Sequence, residues 1–447
     1  MASEELKNTI DMAWPAVLES ISVSVAGLID TFMVSRLGPE AVAAVGITLN
    51  PKFVGLSVFI AINVAVSAVI ARRRGEGRRN EANRILAATL ILVLIAGVIV
   101  SAIFGGFADQ IMRFSGSDGS NHELSTVYFR IIMGFMLPGV LSNAINSALR
   151  GAGNTKIAMY TNIAATVVNI FFNYLLIEGH FGCPALGVRG AAIATVLGTV
   201  ASFVISIGVL IKGEYLNLSY FFSNSLGLSV THFKNLISVG YSVFLEQILL
   251  RFGLMAVSIM AAKQGSENMA VHQVAMNFMG LGYSIGDGMQ AATVALVGRS
   301  LGEGNAKKAK EYRILSHKLG FVCGLLIAVA YIAFAGAIYR VHFPKAEMAD
   351  MVKLGKKVMV VLAMVVFFQL PQVIDTGCLR GAGDVVYTMA VSTIGATIIR
   401  AGTAYLFCIV AGLGIIGIWA GVLLDQLTRD ILFAFRFRND KWTQIKI

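Results

Sequence analysis

The chain has 447 residues, of which 56% are hydrophobic and 14% charged, and its mean hydropathy is +0.75. Soluble domains carry roughly 25% charged residues, so a water-soluble globular protein is excluded and the chain is expected to live in lipid. The net charge of +11 does not indicate nucleic acid, because the basic residues gather in short connectors, where they orient helices and meet anionic headgroups.

Twelve helices are predicted, at 13–35, 43–70, 85–107, 124–149, 156–179, 187–212, 234–262, 270–297, 313–337, 353–378, 385–411 and 413–436. Lys7, Asp11 and Trp14 run directly into the first span, so no cleaved leader is expected. The connector after span two holds Arg72, Arg73, Arg74, Arg78, Arg79 and Arg84, and the one after span eight holds Arg299, Lys307, Lys308, Lys310 and Arg313. With the tail residues Arg436, Arg438, Lys441 and Lys446, they fall on one side if the helices alternate. That side is expected to be cytoplasmic, with both termini, in a cell (inner or plasma) membrane. The connector with Arg340, Lys345, Lys353, Lys356 and Lys357 runs against this bias. Four cysteines (Cys183, Cys323, Cys378 and Cys408) are scattered singly and imply neither disulfide framework nor metal site.

The chain repeats itself. Arg72, Gly75, Glu76, Gly77 and Ala82 return 227 residues later as Arg299, Gly302, Glu303, Gly304 and Ala309, and Glu19 returns as Glu246. Leu149-Arg150-Gly151-Ala152-Gly153 returns as Leu379-Arg380-Gly381-Ala382-Gly383. The expected architecture is therefore all-α and polytopic, with two six-helix lobes in a parallel pseudo-twofold repeat. Their limits are 1–212 for the first lobe, 213–233 for a cytoplasmic linker and 234–447 for the second lobe with its basic tail.

Ionisable groups inside spans cost roughly 2.5–3.5 kcal/mol on insertion scales, so each needs a reason. Span one carries Glu19 and Asp30, with Pro15 read as lying in its first turn; span five carries Asn169 and Asn173 one turn apart. Asp30 and Asn173 reach similar depth and are expected to face each other. A carboxylate with two amide carbonyls suits a small hard cation such as Na⁺ at Asp30, Asn169 and Asn173, or else a proton. Packing through hydrogen bonds is the bland alternative. In the second half, Glu246, Asp287, Asp375 and Asp425 share the membrane with Arg251 and Arg400, so several of these acids are expected in ion pairs. Glu246, Asp287 and Asp375 are the coupling candidates there, with Asp375 placed at the inner rim. A lone His272 reads as a packing residue. The Gly-Glu-Gly turns lack the lysine of a phosphate cradle.

Leu28-Ile29-Asp30-Thr31-Phe32-Met33-Val34, then Arg36-Leu37-Gly38-Pro39-Glu40-Ala41, resembles the first-helix signature of the multidrug and toxic compound extrusion (MATE) family. Ala291-Ala292-Thr293, the two Leu-Arg-Gly blocks and Gly187-Val188-Arg189-Gly190 continue the resemblance in order. It implies a twelve-helix, two-lobed antiporter that exports organic, often cationic and lipophilic compounds in exchange for Na⁺ or H⁺, without a cofactor. By the same resemblance Asp30 is the first-lobe coupling acid, Asn169, Asn173 and Thr195 its companions, Pro15 a helix-bending proline and Glu246 the seventh-helix acid. Asn173 stands where some members carry aspartate, and the tenth-helix acid of some members falls nearer Gln369 than Asp375. Small organic molecules and membrane lipid are the expected partners, and a monomer the expected state.

A flippase for a lipid-linked precursor is the alternative; it would need arginines from both lobes around a broad cavity. A major-facilitator transporter would carry an acidic-basic pair in the second connector, absent from Arg72-Arg73-Arg74-Gly75-Glu76-Gly77. An ion channel would show conductance far above carrier turnover. No nucleophile–base pair suggests an enzyme.

Overall fold

The computed structural model describes residues 2–119, 121–222, 227–345 and 348–445. Residues 223–226 of the expected linker and Lys446 of the tail lie outside them. The first half holds α1 (Ala2–Ser35), α2 (Pro39–Gly75), α3 (Arg79–Gly106), α4 (Ala108–Phe114), α5 (His122–Gly134), α6 (Leu137–Gly151), α7 (Thr155–Ile177), α8 (Val188–Lys212) and α9 (Ser219–Phe222). The second holds α10 (Val230–Lys263), α11 (Ser266–Gly302), α12 (Ala306–His342), α13 (Ala349–Ala382), α14 (Val385–Ser392), α15 (Arg400–Tyr405) and α16 (Gly414–Arg438). Among the described residues, nine helices, or ten with the bent pair α5–α6, are long and apolar enough to cross a membrane. With α11 and α16 they make the twelve-helix, two-lobe, all-α membrane protein that the sequence leads one to expect.

The repeat reaches the helix ends. Helices α2 and α11 have 37 residues each and begin and end 227 positions apart. Each follows a glycine with φ near +100°, Gly38 (106°) and Gly265 (101°), in a region L side chains rarely enter. The Leu-Arg-Gly blocks explain themselves through contact. A Cβ on Gly151 would collide with the Ser67 backbone, and one on Gly381 would sit 2.6 Å from the Val294 carbonyl oxygen. Ser67 and Val294 are themselves 227 residues apart, so both halves use the glycine to bring two helices to backbone contact.

Two expectations change. Span four is not one helix: α5 and α6 meet at 49°. Pro138 lacks the N–H that would bond the Gly134 carbonyl, so the helix breaks. Instead Ser101 Oγ donates to Gly134 O at 2.5 Å, which satisfies the carbonyl inside the bilayer. Pro15 is not in a first turn either. Helix α1 begins at Ala2, which puts Pro15 in its interior. The eleventh span (385–410) is also irregular, with π-helical stretches at Thr393–Ile399 and Leu406–Val410 flanking α15.

By contacts the chain forms two compact units, Leu18–Phe244 and Met1–Val17 with Leu245–Ile447. Helices α1 and α10 therefore each contribute to both, and the division falls inside these helices rather than in the linker. Each unit has its own apolar core. Phe59, Val93, Met112, Phe129 and Met133 anchor one. Val257, Tyr339, Leu362, Ile418 and Trp419 anchor the other.

Candidate functional site

In the unit Leu18–Phe244, Asp30 lies five residues before the end of α1 and half-buried. Asn173 of α7 is fully buried, and its Nδ2 donates to Asp30 Oδ1. The same amide nitrogen lies 3.4 Å from Asn169 Oδ1, one turn earlier, and Asn169 Nδ2 donates to Thr195 Oγ1 of α8 at 3.4 Å. The Thr195 hydroxyl in turn donates a hydrogen bond to Ala191 O at 3.0 Å. The four residues thus form one line of polar groups across α1, α7 and α8. Asn173 Oδ1 is buried and accepts no hydrogen bond among the described residues.

Two groups near this site, Lys52 and Tyr128, are missed by sequence reasoning. Lys52 of α2, half-buried, is close enough to Asp30 for the two charges to interact, and so is the Tyr128 hydroxyl of α5. The signal was present, since a lysine inside the predicted span 43–70 carries the same insertion cost as the acids.

Glu19, lower in α1, belongs to a different arrangement. Its Oε1 accepts from Arg150 at 2.5 Å and from Asn162 Nδ2 at 2.6 Å. The repeat mate behaves alike: Glu246 accepts from Arg380 at 2.8 Å, with both side chains buried. The arginines of the Leu-Arg-Gly blocks are therefore not surface anchors; they reach into the helix bundle and neutralise the repeated glutamates. Asp287 and Tyr283 lie within electrostatic reach of Arg380 as well.

Asp375 is 1% exposed and lies seven residues before the end of α13. Arg313 donates to it from Nε at 3.0 Å and from Nη2 at 2.8 Å, and His317 Nδ1 stands 3.0 Å away. The Arg313 guanidinium lies over the Phe437 ring, 4.1 Å from its centre. Nearby, Asp430 buries both carboxylate oxygens without a hydrogen bond among the described residues. Arg400 is paired as expected, donating to Asp425 Oδ2 at 2.9 and 2.5 Å, with Arg429 donating to the same oxygen at 2.9 Å. The three second-half candidates therefore do not converge: Glu246 and Asp287 share Arg380, and Asp375 sits in a separate cluster. His272 packs 5.5 Å from Trp419 between ring centres, with both ring nitrogens buried and without hydrogen bonds among the described residues.

A polytopic bundle of two six-helix repeats, with a line of polar side chains buried in apolar helices, defines a membrane transporter. The chain belongs to the MatE family, whose model matches residues 15–175 and again 242–406, so the family unit is the repeat itself. Over 444 residues the chain is 27% identical to "Probable multidrug resistance protein NorM" of Thermotoga maritima, covering 98% of this chain and 93% of the relative. It is 24% identical to "Uncharacterized transporter YisQ" of Bacillus subtilis, covering 97% and 94%. Among solved structures, the "Outward-facing conformation of a multidrug resistance MATE family transporter of the MOP superfamily" superposes with a TM-score of 0.91 at 24% identity over 99% of this chain and 97% of that one. At that identity the superposition establishes the fold.

Proposed function

We propose that the protein is a cation-coupled efflux antiporter that exports organic, often cationic and lipophilic compounds by alternating access, in exchange for Na⁺ or H⁺. The observation that carries this reading is the line Asp30–Asn173–Asn169–Thr195, a carboxylate engaged by amides inside an apolar unit of a MatE-family chain. Membership in a family whose relatives bear multidrug-resistance names supports it. Loading of Asp30 changes its charge, and a ligand shifts a conformational equilibrium by its differential affinity for the two states. The protein works as a monomer in the cell membrane with both termini cytoplasmic, needs no cofactor, and takes small organic substrates from cytoplasm or lipid.

The flippase alternative calls for arginines from both lobes, and Arg400, an arginine inside the eleventh span, is committed to Asp425 instead. The test is dye efflux from proteoliposomes under an imposed Na⁺ or H⁺ gradient. Wild type should extrude an organic cation such as ethidium, and Asp30→Asn should lose gradient dependence while remaining folded. Gradient-driven export that survives in Asp30→Asn would overturn the assignment of coupling to Asp30.

A further inference from the structure

The unit Leu18–Phe244 holds a cavity of about 700 Å³ where α2, α6 and α8 end and α7 begins, on the side read as cytoplasmic. Leu149, Ile157, Ile205 and Val209 give it apolar walls, and Arg74 and Lys212 bring two cations to the lining. One carboxylate, the exposed Glu214, stands against them.

The site is built rather than incidental. The Arg74 guanidinium lies 5.4 Å from the centre of the Tyr215 ring, a stacking that leaves the N–H edge of an arginine available to an oxyanion. A Cβ on Gly153, where φ is +80°, would come within 2.5 Å of Arg74 Nη1, so this turn stays bare to admit the guanidinium. The segment after α8 that closes the cavity is tied to α3: Tyr215 O accepts from Arg79 Nε at 3.1 Å and from Asn83 Nδ2 at 3.0 Å.

The other repeat fills the corresponding place with its own side chains. The 230-residue offset of the Leu-Arg-Gly blocks takes Asn154 to Asp384 and Ile157 to Tyr387. The 227-residue offset takes Ile205 to Leu432, Val209 to Arg436 and Tyr215 to Trp442. There Arg436 Nε donates to Asp384 Oδ2 at 2.6 Å and lies over the Tyr387 ring, and Tyr387 Oη donates to Leu432 O at 2.8 Å. Trp442 is buried. These contacts join positions whose counterparts line the cavity in the first repeat. The cations go with the cavity, for Arg74 and Lys212 are replaced by Leu301 and Asn439.

Two cations above apolar walls fit an anion carried on an apolar chain. The α8 wall runs into surface of the same kind, since Val204 and Ile211, next to Ile205 and Lys212 in sequence, are exposed. We propose that this cavity binds an anionic phospholipid of the adjoining leaflet, its phosphate held by Arg74 and Lys212 and its chain laid against Ile157, Ile205 and Val209. A free phosphate shares the headgroup chemistry but leaves those walls uncovered. The bound lipid joins α7 to α8 in the first repeat, as Tyr387 and Arg436 join the matching helices in the second, and so stabilises this unit. The inference is independent of the transport reading.

The experiment is a titration of the thermal unfolding midpoint of the purified, delipidated full-length protein in neutral detergent. The probes, added separately, are phosphatidylglycerol, phosphatidylcholine and inorganic phosphate. Phosphatidylglycerol should stabilise the wild type, and the other two should not. Arg74→Gln/Lys212→Gln should need phosphatidylglycerol at concentrations higher by about tenfold or more. Ile157→Tyr, which installs the residue of the other repeat and keeps both cations, should weaken the response by filling the cavity. Lys307→Gln, an exposed charge of the other unit, should leave it unchanged. Equal stabilisation by phosphatidylcholine would overturn the proposal, as would identical phosphatidylglycerol titrations of wild type and the double variant. A response to inorganic phosphate as large as that to phosphatidylglycerol would replace the lipid by a free solute and overturn it too. If the double variant does not fold, Ile157→Tyr and the single exposed change Lys212→Gln decide. The readout needs no transported substrate, so absence of dye efflux would sink the transport reading and leave the lipid site measurable.

Discussion

Glu246 and Arg380 bury a full charge each, and removing one leaves the other without compensation in a medium that cannot solvate it. Arg380→Ala should therefore destabilise the protein by about 3 kcal/mol or more, read as denaturant unfolding in detergent. The double variant Arg380→Ala/Glu246→Gln should recover part of that loss; an additive double variant would mean that the two groups are not coupled. Asp375 and Asp430 offer a sharper contrast. Asp375 accepts two hydrogen bonds from Arg313, so Asp375→Asn should destabilise strongly. Asp430 accepts none among the described residues, so Asp430→Asn removes a poorly satisfied carboxylate and should be neutral or stabilising. Equal losses in the two variants would show that Asp430 has a partner in the membrane. At this scale the sequence discloses which residues are costly in lipid but not which of them meet. Glu19 on α1 and Arg150 on α6 are 131 residues apart, and no local spacing pairs them. Lys52 escapes notice for a related reason: a single lysine in a strongly apolar run reads as tolerated until an acid on another helix is placed beside it.

Among the elements, the spans are legible because hydrophobicity sustained over roughly 20 residues has few other uses. Their ends in the two halves agree because both halves carry the same turn glycines. The break between α5 and α6 is harder to read, since proline is common in membrane helices wherever a neighbour can satisfy the freed carbonyl. Ser101 is that neighbour, and it lies on α3, far from Pro138 in sequence. Ser101→Ala should leave the Gly134 carbonyl unpaired and cost about 1–3 kcal/mol, whereas Ser101→Cys, which keeps a weak donor, should lose less. Equal losses would mean that the hydroxyl matters only as volume. The π-helical stretches of the eleventh span belong to the same category. The first of them forms where Gly395 meets Asp425 and Arg429, and where Thr397 Oγ1 donates to Leu249 O at 2.9 Å. Such contacts between distant helices are not visible in local periodicity.

For the whole molecule, the argument turns on which side of the membrane each connector occupies. If the helices alternate, the connectors after α2, α6, α8 and α11 share a side with both termini, and the helix ends at two of them are strongly basic, with Arg72, Arg73, Arg74, Arg78 and Arg79 at one and Arg299, Lys307, Lys308 and Lys310 at the other. The connector between α7 and α8 then lies on the opposite side, and it carries Cys183, half-buried. Cys378 and Cys408 are buried within helices, and Cys323 sits inside α12. A membrane-impermeant maleimide applied to intact cells should therefore label the wild-type protein once, at Cys183, and Cys183→Ser should abolish the label. A cysteine introduced by Lys307→Cys, just inside α12 and exposed, should react only after the membrane is opened. The reverse pattern would invert the orientation. It would also turn Asp30, near the α1 end that leads into the α1–α2 connector, from a group reached from outside the cell into one reached from the cytoplasm.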